Sequence, residues 1–408
     1  MKMGEQEQAA LSALLKTLRS SGHAEQPRML PPGCFTLPAF FDFEREAIFA
    51  RSWICVGRAD QIPEPGDSMP AKVADEPLIV VRGEDGCVRA LSAVCQHRGE
   101  VIPCEGGKVR GFRCPLHFWS YDLEGRLVAA PRMGDRATLQ CLKDSVRLQS
   151  VRCEAWHGFL FVNLDAEAPS VATALRKVEP FWEGYDEADL VTVPPVPSGK
   201  VFPWNWKLHF ENFTDAYHPE FVHRGTHDFA PSVHADGGVR FFDFEPDEQA
   251  IIRTVPLLKP DGGMMNEGWG EAAAFPPIGS LSAEQRGRIA FVMIPPGMTI
   301  IFAPNVVAYQ LITPLGVTSI TAANDRISGG GWLLPKSTLA LPDFRARSDS
   351  VREGGAKIWA QDLPVNLGMQ AGKSSRFAPA GIYGPLETTL VQFNAWLMRR
   401  YLAANPGL

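Results

Sequence analysis

The chain has 408 residues, of which 45% are hydrophobic and 21% are charged, and its formal net charge at pH 7 is -6. This length favours two domains over one ordinary core. The acidic balance and the lack of a basic stripe argue against a nucleic-acid-binding protein, because such proteins neutralise phosphates with lysine and arginine. We therefore expect small-molecule partners.

The N-terminal segment has leucines at helical spacing and then reaches the sequence SSG, which predicts a short amphipathic helix. These leucines are Leu11, Leu14, Leu15 and Leu18. The segment lacks the apolar block of a signal peptide, and no apolar run in the chain reaches about 18 residues. We therefore expect a cytoplasmic protein with no membrane segment.

All eight cysteines lie in the first part of the chain, before residue 154. They are Cys34, Cys55, Cys87, Cys95, Cys104, Cys114, Cys141 and Cys153. A disulfide scaffold would be unusual in a cytoplasmic protein of this size. The clustering therefore indicates a metal or iron-sulfur site in the first part.

The stretch VCQHRGEVIPCEGGKVRGFRCPLHFWSYDLEGRLV contains Cys95-x-His97 and, further on, Cys114-x2-His117. Strand-like segments such as PLIVVRG and RLVAA flank the two loops, and each loop offers one thiolate and one imidazole. A structural zinc is one reading, because Cys2His2 is a common zinc set. Zinc fingers pair Cys with Cys and His with His, however, whereas each loop here mixes the two. A mixed pair suits a [2Fe-2S] cluster in which one iron takes two cysteines and the other two histidines.

C-x-H followed by C-P-x-H, with the trailing aromatic residue and the YDLEG turn, resembles the Rieske ferredoxin domain over roughly residues 46–160. The resemblance implies four cluster ligands: Cys95, His97, Cys114 and His117. Cys104 lies between the two motifs and is interpreted as structural, since the paired spacing is complete without it.

A second constellation lies in NWKLHFENFTDAYHPEFVHRGTH, which holds four of the nine histidines. On a helix, Asp215 and His218 would be neighbours on one face, and Pro219 would bend or restart the helix so that His223 turns back towards the same point. Two imidazoles and a carboxylate from elsewhere would form the facial triad of non-haem Fe(II) oxygenases. A zinc pair of His223 with His227, or the carboxylate-x2-His repeats of a di-iron bundle, are the alternatives.

Together with the cluster motif, NWKLHFENFTDAYHPEFVH resembles the catalytic signature of Rieske non-haem iron oxygenase large (alpha) subunits. This family includes aromatic-ring-hydroxylating dioxygenases and choline-monooxygenase-like enzymes. The resemblance implies that His218 and His223 bind the mononuclear iron and that Asp215 links the two redox centres. Asn212 would lie close to the iron without binding it firmly.

The third iron ligand should be a carboxylate far along the chain. Spacing does not select it among Asp343, Glu353 and Asp362. KIWAQDLPVNLGMQAG resembles the late helix of the family, where an acid precedes a Q-x-G turn, and Asp362 matches that acid. No role is assigned to His209 or His227.

Segments such as RIAFVMIPPGMTIIFAP and VVAYQLITPLG predict strands of an antiparallel sheet punctuated by Pro and Gly. The resemblance implies an α+β fold in which a Rieske β domain, residues 46–160, is inserted in a catalytic domain. The catalytic domain would comprise residues 1–45 and 161–408, with its sheet around a long helix in the helix-grip manner. GPLETTLVQFNAWLMRRYL is similar to the C-terminal helix of the family, and its apolar residues suit core packing.

The resemblance implies a mono- or dioxygenase with a [2Fe-2S] Rieske cluster and mononuclear Fe(II). The sequence has no G-x-G-x-x-G on a strand-to-helix turn and no second cluster motif, so electrons from NAD(P)H should arrive through a separate reductase, with or without a ferredoxin. Asp215 would hydrogen-bond His218 and, across a subunit boundary, His117 of a neighbouring chain. We therefore expect a homotrimer, with or without a small beta subunit.

The substrate is expected to be an aromatic or heteroaromatic carboxylate, as in aromatic catabolism. The alternative is monooxygenation or oxidative N-demethylation of a betaine-like amine, and Trp269 and Trp332 could serve either substrate by stacking or by cation-π attraction. The contrasting class is a non-enzyme, either a Rieske electron carrier without mononuclear iron or a zinc-stapled binding protein.

Overall fold

A computed structural model of the chain describes residues 4–21, 28–193, 201–235, 237–245, 247–260, 273–322 and 330–405. The chain forms two compact units, one of Met1–Ile48 with Thr173–Leu408 and one of Phe49–Ala172. The predicted domain limits at 46 and 160 stay a prediction, because compactness alone does not define a functional domain. Within the described ranges, no helix has both the length and the apolarity needed to cross a membrane.

Three helices precede the smaller unit: α1 (Glu5–Ser21), α2 (Gly33–Thr36) and α3 (Pro38–Ala47). Helix α1 confirms the predicted amphipathic helix, and Leu15 and Leu18 are buried on its inner side. Helix α3 begins at Pro38, a position that suits proline because the first helical N-H has no partner within the helix. Helices α1 and α3 pack against each other.

The smaller unit is built from short strands. They are β1 (Ile54–Arg58), β2 (Asp67–Val73), β3 (Glu76–Arg82), β4 (Val88–Ser92), β5 (Gly107–Lys108), β6 (Phe112–Arg113), β7 (Ser120–Tyr121), β8 (Leu127–Ala129), β9 (Ser150–Trp156) and β10 (Phe159–Asn163), with helix α4 (Arg136–Ser145) between β8 and β9. Seven form a sheet in the order β1-β10-β9-β4-β3-β2-β5, and β6-β7-β8 form a second sheet. The first cysteine-histidine pair lies after β4, and the second lies in the loop that joins β6 to β7.

The rest of the chain supplies the helices and strands of the larger unit. They are α5 (Val171–Ala174), α6 (Glu179–Trp182), β11 (Leu190–Val193), β12 (Val201–Phe202), α7 (Trp206–Thr214), α8 (Pro219–Val222), β13 (Arg240–Phe241), β14 (Ile251–Pro256), α9 (Ala283–Arg286), β15 (Arg288–Ile294), β16 (Met298–Ala303), β17 (Val306–Gly316), β18 (Ser319–Ala322), β19 (Gly330–Pro335), α10 (Lys336–Leu339), α11 (Phe344–Lys373) and α12 (Thr388–Ala404). Short 3-10 turns lie at Phe49–Arg51 and Ala59–Gln61 in the smaller unit and at Pro385–Glu387 in the larger unit.

A nine-stranded antiparallel sheet dominates the larger unit, with the order β11-β19-β17-β16-β15-β14-β13 and with β18 joining β17 to β12. Helix α7 packs against β15 and β17, and the 30-residue helix α11 packs on α7. The α+β class, with an antiparallel sheet beside a long helix, is therefore confirmed. Helix α12 is also confirmed as a core element, because its predicted apolar residues are buried: Leu390, Phe393, Leu397 and Tyr401.

A buried ion pair fixes the start of α7. Lys207 Nζ lies 2.7 Å from Glu44 Oε1 and 3.0 Å from Oε2, and both side chains are fully buried. Trp206 Nε1 and the Tyr401 hydroxyl also donate to this carboxylate, at 3.1 and 2.5 Å. Loss of one partner would leave an uncompensated buried charge, which costs about 3–5 kcal/mol. The cluster therefore ties α3, α7 and α12 together at the helix that leads into the histidine constellation.

Candidate redox and active sites

Two loops of the smaller unit share one backbone hydrogen-bond pattern. In each loop, the carbonyl of the cysteine, Cys95 or Cys114, accepts from the N-H four residues later at 3.0 Å. The cysteine N-H donates to the carbonyl five residues later at 2.9 Å. The residues that close the loops, Gly99 and Phe118, have φ angles of 76° and 60°, a region that glycine adopts readily and phenylalanine seldom does. The two loops therefore curl in the same way around their ligands.

The thiols of these loops are more deeply buried than the imidazoles. Cys95 and Cys114 are buried, whereas His97 is half-buried and His117 is exposed. The rings of His97 and His117 meet edge to face with their centroids 4.7 Å apart. Burial, with a smaller contribution from neighbouring Cys95, raises the pKa of Cys114. The two thiols thus form an inner pair and the two imidazoles an outer pair.

This arrangement fits a two-iron cluster better than a single zinc ion. A tetrahedral zinc ion would bring its ligand atoms within about 4 Å of one another. The two cysteines and two histidines of these loops do not converge in this way. Among the described residues, the side chains that do converge on one point belong to the larger unit. Two inner thiols and two outer imidazoles match the ligand sets of the two irons in a Rieske cluster. Cys104 Sγ is 4.0 Å from Ser68 Oγ and the side chain packs against the core of this unit, which agrees with a structural role.

Two aromatic side chains support the ligands. The Tyr121 hydroxyl oxygen lies 3.3 Å from Cys95 Sγ and accepts from Gln96 N at 3.1 Å, so towards a deprotonated Cys95 thiolate the hydroxyl would be the donor. Burial, with Cys95 as the next contribution, raises the pKa of Tyr121, so the hydroxyl keeps its proton. The Trp119 ring is stacked on His97, with centroids 4.7 Å apart and an interplanar angle of 8°.

In the larger unit, Asp215 and His218 lie on a turn between two helices. Helix α7 ends at Thr214, Asp215 has an extended backbone, and α8 begins at Pro219. The predicted restart at Pro219 is confirmed, but the shared helix face predicted for Asp215 and His218 is wrong. Their side chains meet because Asp215 Oδ1 accepts from Tyr217 N at 2.7 Å while Oδ2 lies 3.0 Å from His218 Nδ1.

Three side chains converge as a metal site would require. His218 Nε2 and His223 Nε2 are 3.3 Å apart, and Asp362 Oδ1 lies 3.1 Å from the latter and 3.7 Å from the former. Ligand atoms that are bound at right angles, 2.0–2.2 Å from an ion, lie about 3 Å apart. The other two candidate acids do not join this group, since Asp343 pairs with Arg347 and Glu353 with Lys357. The donor set therefore fits a facial metal centre.

Each imidazole has an acceptor behind it. His218 Nδ1 faces Asp215 Oδ2, and His223 Nδ1 faces Gln361 Oε1 at 3.0 Å. Protonation at Nδ1 leaves both Nε2 atoms free to bind a metal. Burial disfavours the charged form of His223, but the hydrogen bond and charge of Asp362 outweigh it and raise the pKa of His223. The point between the three side chains therefore attracts positive charge.

A cavity of about 250 Å³ opens onto the three ligands, between the sheet and helices α7 and α11. Four aromatic residues line it: Phe213, Phe291, Tyr309 and Trp359. Asn212 also lines it and donates from Nδ2 to Asp362 Oδ1 at 3.2 Å, so Asn212 lies beside the candidate iron site. Trp332 packs against Phe275 instead, and Trp269 lies outside the described residues.

His209 and His227, which were assigned no role from the sequence, also line this cavity. Burial lowers the pKa of each to about 4, so both imidazoles are neutral at neutral pH. His209 Nε2 lies 2.8 Å from Gln310 Oε1 on β17. These histidines thus contribute polar but uncharged surface next to the ligands.

Arg253 is the cationic side chain of the cavity and is buried, with 3% of its surface exposed. Its Nε donates to Thr214 O at 2.9 Å, and Nη2 lies 3.4 Å from the carbonyl oxygens of Phe213 and Asp215. Nη1 makes no hydrogen bond to the described residues. Burial lowers the pKa of Arg253 to about 10, so the charge persists at neutral pH. The guanidinium lies 4.0 Å from the centroid of the Phe291 ring.

Several of these polar residues were not predicted from the sequence. Arg253, Gln310 and Gln361 come from β14, β17 and α11, and short motifs do not link such distant segments. One signal was present, because Gln361 directly precedes Asp362. A ligand on a helix often brings an adjacent side chain near the metal, and metal-bound histidines commonly have such a hydrogen-bond partner.

Comparisons with known proteins agree with this architecture. A family model described as the catalytic domain of the ring hydroxylating alpha subunit matches residues 182–403, and a Rieske [2Fe-2S] domain model matches residues 52–143. The chain therefore belongs to the family of ring-hydroxylating alpha subunits with a Rieske domain. The predicted family and the predicted class of cluster domain are confirmed.

Curated relatives include members of two functional groups. The alpha subunit of biphenyl 2,3-dioxygenase from Rhodococcus jostii (strain RHA1) is 34% identical over 199 residues, which are 48% of this chain and 43% of that protein. The carnitine monooxygenase oxygenase subunit from Escherichia coli (strain K12) is 32% identical over 221 residues, which are 50% of this chain and 56% of that protein. The matches thus span about half the length of these relatives.

Solved structures show the same fold over most of the chain. Naphthalene 1,2-dioxygenase from Rhodococcus sp. bound to indole has a TM-score of 0.74 at 21% identity, and 99% of each chain is covered. A quaternary ammonium Rieske monooxygenase in complex with gamma-butyrobetaine has a TM-score of 0.71 at 20% identity, covering 94% of this chain and 98% of that one. At these identities the likeness establishes the fold alone.

Proposed function

We propose that the chain is the terminal oxygenase component of a multi-component system that hydroxylates an aromatic or heteroaromatic carboxylate with O2. One observation carries the proposal: two imidazoles and a carboxylate converge in a cavity with aromatic walls and one buried guanidinium. Such a facial set leaves coordination positions open for O2. The aromatic walls suit a substrate ring, and the guanidinium suits its carboxylate.

The proposal assigns two iron centres to the chain. The [2Fe-2S] cluster is held by two thiols and two imidazoles: Cys95, Cys114, His97 and His117. The mononuclear Fe(II) is held by three side chains: His218, His223 and Asp362. When bound, these groups supply one-electron storage and dioxygen activation. Asn212 holds the Asp362 carboxylate through its 3.2 Å hydrogen bond and touches the reaction space.

Electrons from NAD(P)H reach the chain through a separate reductase, with or without a ferredoxin, and cross between subunits of a homotrimer. Asp215 is assigned to the place where electrons pass from one subunit to the next, because its carboxylate would contact His117 of a neighbouring copy. Apolar side chains are exposed beside these two residues: Leu116, Phe118, Tyr217 and Phe221. A quaternary ammonium Rieske monooxygenase of known structure has been described with inter-subunit electron transfer, which supports the same route here.

A second candidate function is monooxygenation or N-demethylation of a betaine-like amine. It is favoured by the carnitine monooxygenase subunits among the relatives and by ring faces that attract cations. Among the described lining residues, however, Asp362 is the sole carboxylate, and it is assigned to the metal. A cationic group would therefore depend on aromatic faces alone, whereas a carboxylate finds Arg253. This difference places the aromatic carboxylate first.

The two iron centres are tested by EPR of anaerobically purified, dithionite-reduced protein, with iron and acid-labile sulfide measured on the same sample. We expect a Rieske-type signal and three irons per two sulfides. A cluster without mononuclear iron would instead indicate an electron carrier, and a colourless protein with zinc in place of iron would indicate a zinc-stapled binding protein.

The substrate class is tested by competition between a benzoate-like and a betaine-like panel, with a surrogate reductase, NADH and O2. We expect hydroxylated product from aromatic carboxylates and none from their uncharged amides, because the amide cannot pair with Arg253 as an anion does. Preferential turnover of betaines, with release of formaldehyde or a hydroxylated amine, would establish the second function instead.

A further inference from the structure

The two candidate histidine ligands have partners of different charge. His218 Nδ1 faces the carboxylate of Asp215, whereas His223 Nδ1 faces the uncharged amide oxygen of Gln361 at 3.0 Å. Gln361 lies on α11 directly before Asp362, so one helix supplies both a ligand and the partner of another ligand. The buried position of His223 leaves little room for water to replace this partner.

Thr226 shares the same amide oxygen. Its Oγ1 lies 2.8 Å from Gln361 Oε1 and 2.9 Å from the carbonyl oxygen of His223, and its N-H donates to that carbonyl at 2.9 Å. Thr226 is thus fixed to the backbone of the ligand residue and in contact with the side chain behind the ligand. The three residues form a closed loop of contacts around His223.

The orientation of the Gln361 amide decides which nitrogen of His223 can bind a metal. With Oε1 facing the ring, Nδ1 must carry the hydrogen and Nε2 keeps its lone pair towards Asp362. With the amide reversed, its NH2 group would donate to Nδ1, and a neutral ring would carry its hydrogen on Nε2. The orientation with Oε1 towards the ring is therefore the one in which His223 Nε2 can bind a metal.

We propose that Gln361, in contact with Thr226, is a positioning residue that selects the tautomer and ring orientation of His223 for metal binding. The inference rests on the proposed function, since it takes His223 as a ligand. Asp362 and Asp215 already balance the two charges of a divalent ion. An uncharged acceptor behind His223 therefore keeps the site from gaining a surplus negative charge. Outer partners of this kind typically change metal affinity by about 10–100-fold.

The test is a Co²⁺ titration of protein that keeps its Rieske cluster but has had the mononuclear metal removed by a chelator. Gln361→Met keeps the length of the side chain and removes the acceptor, and we expect a dissociation constant roughly 10–100-fold higher. Gln361→Glu restores an acceptor and should bind Co²⁺ at least as tightly as the wild type. Thr226→Val should weaken binding by a smaller factor, and Leu363→Met, an exposed neighbour on α11, should leave it unchanged.

Equal Co²⁺ affinity in the wild type and Gln361→Met would overturn the positioning role while leaving the iron site intact. Equal weakening in Gln361→Met and Gln361→Glu would also overturn it, since packing rather than hydrogen bonding would then be responsible. If the wild type itself bound no Co²⁺ at this site, the assignment of the three ligands would fail, and the positioning role with it. Thr226→Val gives an independent reading if Gln361→Met does not fold.

Discussion

Both carboxylate oxygens of Asp215 are engaged on the turn that carries His218, one with Tyr217 N and one with His218 Nδ1. Asp215→Asn keeps an acceptor for the turn but can place an NH2 group opposite His218 Nδ1. We expect both iron centres to remain bound and coupled turnover to fall roughly 10–100-fold. Metal analysis, and rapid mixing of reduced protein with substrate and O2, measure the two effects. Normal turnover in this variant, or an equal loss in Asp215→Glu, would contradict the linking role.

Tyr121 sets the environment of the candidate cluster through its 3.3 Å contact with Cys95 Sγ. A hydrogen bond to sulfur favours the more negative, reduced cluster, so Tyr121→Phe should lower the reduction potential. A hydrogen bond contributes about 1 kcal/mol, which is roughly 40 mV for a one-electron couple. Protein-film voltammetry on the holoprotein measures the shift. Ser120→Ala is the control, because the Ser120 hydroxyl donates to the Phe118 carbonyl and not to a cluster ligand. An unchanged reduction potential in Tyr121→Phe would show that the Tyr121 hydrogen bond does not set the potential.

Side chains that lie within one short motif could be grouped from the sequence. Cys95 with His97, and Cys114 with His117, lie in loops of a few residues, so their spacing carries the geometry. Gln361 and His223 are separated by 138 positions in the sequence, so no local sequence pattern predicts their contact. Asp362 was reached through family resemblance alone, because three acids were equally compatible with the spacing.

At the scale of secondary structure, α7 departs from the amphipathic pattern on which helix prediction depends. Charged and polar side chains are buried along it, including Lys207, His209 and Glu211, because the helix lies between the sheet and α11. Periodicity could not show this, since the partner of Lys207 is on α3. The end of α7 at Thr214 was also missed. A proline restarts a helix readily at its first turn, which explains why Pro219 was recognised as the beginning of the next element.

Glu211 makes the stability of this buried helix depend on pH. Burial, with the charges of Asp215 and Glu387, raises the pKa of Glu211 to about 7, although Lys373 and Lys207 act in the opposite direction. The folded state therefore holds a proton that the unfolded chain releases near pH 4.5, and stability should fall as pH rises from about 5 to above 7.

The Glu211→Gln variant removes this titration while keeping the shape of the side chain. We expect it to exceed the wild type in stability at pH 8 by roughly 2–3 kcal/mol, and to lose that advantage at pH 5. Urea unfolding midpoints of the cluster-loaded protein at both pH values measure the difference. Glu353 is an exposed acid on α11, so the control variant Glu353→Gln should follow the wild-type dependence of stability on pH. Parallel pH profiles for wild type and Glu211→Gln would show that Glu211 does not titrate in this range.

At the scale of the whole molecule, the two compact units each expose apolar surface beside one end of the proposed electron route. Phe118 is 58% exposed next to His117 in the smaller unit, and Phe221 is 67% exposed near Asp215 in the larger unit. Such patches favour association between copies. The sequence predicted an oligomer through family resemblance, but exposure depends on the folded chain, so these contact residues could not be named in advance.

A mixed-subunit experiment distinguishes transfer between chains from transfer within one chain. Cys114→Ser removes the cluster and keeps Asp215, so it should not turn over alone. Asp215→Asn keeps the cluster and weakens the link, so alone it should show only the turnover that remains after its roughly 10–100-fold loss. If electrons cross to a neighbouring copy, one interface in three of every mixed trimer joins an intact cluster to an intact Asp215, so mixed trimers isolated through both tags should reach about a third of wild-type turnover. Co-assembled, differently tagged chains are purified and assayed with a reductase and substrate. If the route lies within one chain, no mixture exceeds the residual turnover of Asp215→Asn, since every chain carries one lesion. Adding Phe221→Glu to the Cys114→Ser chain should abolish the recovery by weakening the contact with Asp215→Asn chains.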